Sequence, residues 1–139
     1  LGATVLCDPT AENPAEVARA LTEGRGADVV IEAAGVPAAF RTSLEAVRPG
    51  GQVVWLGKVG VTDEVGFRWG SLMQEKRILR SSYGGARPQQ DFPAMSRAYL
   101  DGSLKLDSLV TARIRLEEIN AGFAALKRGE AIRSVIIFD

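Results

Sequence analysis

The chain contains no histidine and only one cysteine, Cys7, among its 139 residues. An imidazole general base and a Ser-His-Asp arrangement are therefore excluded from it. Cys7 has no second cysteine with which to close an internal disulfide. A structural zinc site takes about four Cys or His ligands, and a catalytic one about three protein ligands plus water, so Cys7 alone builds neither. Charge of one sign is also missing, since 17 Lys and Arg balance 17 Asp and Glu with no long run of either. Nucleic-acid binding would need a basic stripe, and none is there. No apolar stretch approaches the ~20 residues of a membrane-spanning helix. The first residues lack the basic and apolar regions of a signal peptide, so the expected location is cytoplasmic.

What is present suits one soluble domain: 46% hydrophobic and 24% charged residues, in a chain long enough to bury a core. Residues 3–8, Ala-Thr-Val-Leu-Cys-Asp, read as a short strand. The helix start behind them is marked three times, by Asn13 as N-cap, Pro14 at the first helical position and Glu16 placed to close a capping box. Val17, Ala20 and Leu21 give that helix one apolar face, and Gly24 and Gly26 end it. The run 28–35 suits a parallel strand covered on both faces. Pro37 opens a second helix with Phe40, Leu44 and Val47 on one side, which Pro49-Gly50-Gly51 should stop. Residues 52–57 repeat the buried-strand pattern. Strands joined by helices of this length predict a parallel, doubly wound α/β sheet with right-handed crossovers.

Beyond Gly57 the rhythm changes. Residues 58–66 read as a loop, 67–76 as a short amphipathic helix and 77–83 as a strand. Residues 84–88, Gly-Gly-Ala-Arg-Pro, form a turn-rich joint that divides the chain into segments 1–83 and 84–139. In the second segment, Asp91 should cap a helix carrying Met95 and Tyr99 that ends at Gly102. A strand near 109–115, a helix with Ile119, Phe123 and Leu126, and a final strand from Ser134 complete it.

In open α/β sheets, ligands bind beyond the carboxyl ends of the strands. Those ends are Ala33-Ala34-Gly35, Leu56-Gly57 and Ser82-Tyr83-Gly84. Glycine after one strand is ordinary turn chemistry, but three such ends in one sheet point to a shared crevice.

Residues 26–35, 47–57 and 119–136 resemble the C-terminal part of medium-chain alcohol dehydrogenases, and the ending, together with Leu104 to Thr111, is most similar to their zinc-dependent branch. The pattern Gly-x-Ala-x-Arg-Ser-Val, from Gly129 to Val135, is its most specific element. The resemblance runs in order through essentially the whole chain. It implies a partial Rossmann-like sheet plus a C-terminal α/β tail that returns to the catalytic domain. It also implies a parent oxidoreductase using NAD or NADP, and zinc, on an alcohol or aldehyde. Ala34 and Gly35 match positions beside the adenosine. Leu56, with Gly57 next to it, Ser81 and Tyr83 match positions whose backbone groups hold the nicotinamide carboxamide. Arg133 matches an arginine on the pyrophosphate, although by itself it reads as a solvated cation. Segment 77–83 matches an edge strand that pairs subunits into a homo-oligomer. Arg80 departs from the pattern, which has glycine nearby, and Arg77 and Arg80 would blunt edge pairing.

The Gly-x-Gly-x-x-Gly turn, the ribose-reading acid, the zinc ligands and the proton relay lie upstream in that family. The expectation is thus a fragment whose first partner is the missing N-terminal part of the same polypeptide. It would be inactive alone, would bind no metal and would expose apolar surface. Two other readings stay open: a zinc-independent quinone or enoyl reductase of the same superfamily, and a stand-alone α/β binding module.

Overall fold

A computed structural model describes residues 2–138; Leu1 and Asp139, the outer ends of segments 1–83 and 84–139, lie outside the described residues. The chain falls into two compact units, Gly2–Ala86 and a second that begins at Arg87.

The first unit is built on three parallel strands, β1 (Ala27–Glu32), β2 (Val47–Trp55) and β3 (Arg77–Arg80), in the order β1-β2-β3. Helix α1 (Pro14–Ala20) precedes β1, and α2 (Pro37–Ala46) joins β1 to β2. Side chains alternate across a strand, so register decides which residues share a face. Val30, Val53 and Ile78 are aligned in one row, and all three meet the core of Leu44, Val47 and Val53 beneath α2. Ile31, Val54 and Leu79 make the neighbouring row on the opposite face. There Ile31 is 63% exposed and Leu79 49%, because α2 covers one side only and α1 packs on α2. The expected cover on both faces is therefore half realised among the described residues.

Trp55 seals the core beside α2. Its ring meets Phe40 edge-on at 5.1 Å, and its Nε1–H donates to Ser43 Oγ at 3.0 Å, while that hydroxyl donates to the Phe40 carbonyl at 2.6 Å. Ser43→Ala would orphan a half-buried indole N–H, so it should cost about 1–2 kcal/mol of stability. Denaturant unfolding followed by Trp fluorescence measures this, and a loss below ~0.3 kcal/mol would contradict it.

Several expectations are corrected. Residues 3–8 form no strand, and Val5 and Leu6 are exposed. Their apolarity suits a strand, but a strand needs a neighbour to take its N–H and C=O groups, and no described segment supplies one. Asn13 does cap α1, accepting from Ala15 N–H at 2.9 Å, but without the reciprocal bond from Glu16. Helix α2 ends at Ala46 and passes directly into β2, so Pro49-Gly50-Gly51 lies inside a strand. A register shift between Ala27 and Val29 takes up the irregularity. The helix expected over 67–76 shrinks to one 3-10 turn, Trp69–Leu72, since Gly66 and Gly70 disfavour a longer one. Strand β3 stops at Arg80, three residues early.

The second unit contains α3 (Pro88–Leu100), α4 (Ile119–Lys127) and a parallel pair, β4 (Ala112–Ile114) and β5 (Ser134–Ile136). Arg87, not Asp91, occupies the N-cap of α3; Asp91 lies in the first turn, where its Oδ2 accepts from Arg87 N–H at 2.6 Å. Among the described residues no helix is long and apolar enough to cross a membrane.

Candidate functional site

The carboxyl ends of the three strands are tied together by backbone. The Glu32 carbonyl accepts from Leu56 N–H at 2.8 Å and from Gly57 N–H at 3.1 Å, and the Trp55 carbonyl accepts from Ser81 N–H at 3.0 Å. These bonds bring Ala34, Gly35, Leu56, Gly57 and Ser81 to one end of the sheet. Tyr83 stands apart, 88% exposed in the 3-10 turn Tyr83–Gly85 with φ at 51°.

Two glycines make the closeness possible. A Cβ on Gly57 would stand 2.4 Å from Gly35 N, and a Cβ on Gly35 would stand 2.6 Å from the Lys58 carbonyl oxygen. Gly35 also holds φ at +69°, a left-handed conformation that costs any other residue strain. Small residues at these ends are thus required by the approach of one turn to another.

Two contributors have roles that the sequence reading did not give them. Glu32 is 4% exposed, and its Oε1 accepts from Ala34 N–H at 2.9 Å and Gly35 N–H at 2.7 Å. Its signal was visible, as the one acid at the end of an apolar run, just before two alanines and a glycine. Arg80 is the other: its guanidinium donates to the Trp55 carbonyl at 2.6 Å and the Ser81 carbonyl at 2.7 Å, latching the ends of β2 and β3. No local pattern marks that role.

Beside the end of β1 lies a cavity of about 800 Å³, with Cys7, Asn13, Glu32, Ala34, Val36 and Thr42 in its lining. Partial desolvation, and then the Glu12 carboxylate beside it, push the Cys7 thiol above its ordinary pKa. It is therefore protonated near neutral pH, which suits a packing residue and not a nucleophile. Among the described residues no three His, Cys, Asp or Glu side chains are grouped to hold a metal ion.

Arg133 lies in the second unit, where its backbone carbonyl accepts from Thr111 N–H at 3.0 Å. Its side chain borders an apolar cavity of about 390 Å³ with Phe123, Leu126 and Ile136, and its guanidinium makes no hydrogen bond among the described residues. Within the first unit, tied backbone ends and two closely approaching glycine turns fit a flat ligand held mainly by shape and backbone.

Comparison with known proteins gives the chain a family. A model of the zinc-binding dehydrogenase family matches residues 1–101. L-threonine 3-dehydrogenase of Symbiobacterium thermophilum is 35% identical over 140 residues, covering 100% of this chain and 39% of that protein. The chain thus spans about two-fifths of the length of that relative. Benzyl alcohol dehydrogenase from Acinetobacter calcoaceticus superimposes with a TM-score of 0.89 over 99% of this chain and 38% of its own. At 22% identity, that likeness speaks for the fold alone. A zinc-binding dehydrogenase from Sinorhizobium meliloti 1021, solved bound to NADP, is 29% identical with a TM-score of 0.72, covering 86% of this chain and 35% of its own. The resemblance to medium-chain alcohol dehydrogenases is borne out, and the chain belongs to the zinc-binding dehydrogenase family.

Proposed function

We propose that this chain forms the downstream half of a nicotinamide-cofactor crevice, in an enzyme that moves hydride between an alcohol and NAD or NADP. The observation that carries the reading is the backbone tie among the ends of β1, β2 and β3, with Gly35 and Gly57 in contact. That is where ligands sit in open parallel sheets. The NADP held by the Sinorhizobium relative supports it. Ala34 and Gly35 then border the adenosine. We assign the backbone at Leu56 and Ser81 to the carboxamide, fixing which face of the ring meets substrate, while Tyr83, set apart in its 3-10 turn, is carried there by the resemblance alone. Arg133 offers the pyrophosphate two parallel N–H donors. The bound cofactor supplies the hydride chemistry. The residues here do not fit zinc, so no step is assigned to it in this chain.

The bare row of Ile31, Val54 and Leu79 is the surface we assign to an upstream part of the same polypeptide. The outer edge of β3 is assigned to pairing with a second copy, a pairing that has to accommodate the charges of Arg77 and Arg80. By itself the chain should bind cofactor in the millimolar range and oxidise no alcohol. NADH titration with amide NMR tests this: shifts should concentrate at Ala34, Gly35, Leu56 and Gly57. Shifts scattered elsewhere, or alcohol oxidation at the rate of a full-length dehydrogenase, would overturn the reading.

A further inference from the structure

Glu32 is the most deeply buried charged side chain in the first unit's sheet, at 4% exposure, and the proposed function gives it no task. Its placement is specific. Oε1 receives two successive backbone N–H groups, those of Ala34 and Gly35, at 2.9 and 2.7 Å. Successive amides converging on one point through a left-handed glycine make an anion-binding nest. This nest also lies ahead of the N-terminus of α2, a ten-residue helix whose N-cap, Val36, has no side-chain cap. The helix dipole adds to the attraction for negative charge there. The other carboxylate oxygen, Oε2, is sealed from solvent with no hydrogen-bond partner, packed where a Cβ on Gly57 would lie 2.4 Å away. The carboxylate is therefore held in the nest by one oxygen, while the other is buried against Gly57.

We propose that Glu32 is an internal anion that fills this nest and so denies it to phosphate. A vacant nest on a ten-residue helix would be a ready phosphate site. Filled, the turn no longer offers a ligand the Ala34 and Gly35 N–H groups. Resting on the cofactor reading, this makes Glu32 a positioning residue of the crevice. It keeps the pyrophosphate off the end of β1 and leaves that turn to the uncharged nucleoside, so the phosphates must be held elsewhere. No proton transfer or covalent step is involved.

The experiment titrates the 139-residue chain with inorganic phosphate against chloride at constant ionic strength, following amide resonances of Ala34 and Gly35. The wild-type chain should show no saturable shift at these amides. Glu32→Ala should acquire one, with phosphate affinity at least about tenfold above wild type. Glu32→Gln keeps an acceptor oxygen in the nest and should stay blind to phosphate, so that only the variant that empties the nest gains the site. Saturable phosphate binding at these amides in the wild type, or a folded Glu32→Ala chain that binds none, overturns the proposal. If Glu32→Ala does not fold, the wild-type and Glu32→Gln titrations decide: phosphate shifts at Ala34 and Gly35 in either overturn it, and their absence with slow amide exchange supports it. NADH shifts missing from the crevice would defeat the cofactor reading while leaving phosphate exclusion standing.

Discussion

Leu44→Ala is expected to lower the unfolding free energy of the first unit by about 3–4 kcal/mol, the range for emptying a fully enclosed leucine site. Leu44 is 0% exposed and sits between Val47 and Val53, with Val30, Trp55, Leu72 and Ile78 packed around them. The neighbours cannot collapse freely into the void. Val53 is fixed in the β ladder, Val47 begins β2, and Trp55 is held by its bond to Ser43. The core is also small, so no second cluster shares the load. With native stabilities of about 5–15 kcal/mol, such a loss leaves a large unfolded fraction under mild denaturant. Guanidinium unfolding with fluorescence detection reads it; a loss under ~1 kcal/mol would mean that this cluster is not the core.

Gly57→Ala should be the most damaging single change at the crevice. The added Cβ would lie 2.4 Å from both Gly35 N and Glu32 Oε2, and 2.6 Å from Gly35 Cα. Two of these neighbours are backbone, and the third is a buried carboxylate that cannot swing away. The turn between β1 and α2 must therefore open, at a cost of about 2–3 kcal/mol, the upper range for overpacking. Cofactor shifts at Ala34, Gly35 and Leu56 should vanish with it. Gly66→Ala is the control, since a Cβ there meets nothing within 4 Å. Retention of the crevice shifts in Gly57→Ala would show that contact between the two glycine turns is not what shapes the site.

The sheet was legible because its signals are local and strong. Continuous β-branched runs at 29–31 and 53–54, and Pro37 opening a helix with Phe40 and Leu44 on one face, state the element type, although the runs overstate burial on the uncovered face of the sheet. Residues 3–8 carry the same apolar signal and yet form no strand, because ladder pairing depends on a neighbour that local pattern does not report. The direct passage from α2 into β2 was hidden by Pro49-Gly50-Gly51, whose turn chemistry is strong in isolation but is absorbed by a register shift against β1. At the site, Gly35 and Gly57 could be read as close approaches, while Glu32 and Arg80 could not be given roles. Their partners are backbone groups, which leave no residue-type signature, so even the visible oddity of an acid ending an apolar run at Glu32 named no partner.

The junction between Ala46 and Val47 has no spare chain, since a helix with one buried face becomes a strand with alternating faces at a single peptide bond. Inserting even one residue there would either swing the helical face by ~100° or exchange the two sides of the strand. The stretch 58–66 carries no regular structure and is mostly exposed, so it can absorb extra length. Grafted tags, reporter loops or permuted ends therefore belong in 61–66, clear of the Lys58 backbone that packs on Gly35, and the 46/47 bond is where the chain tolerates no change in spacing.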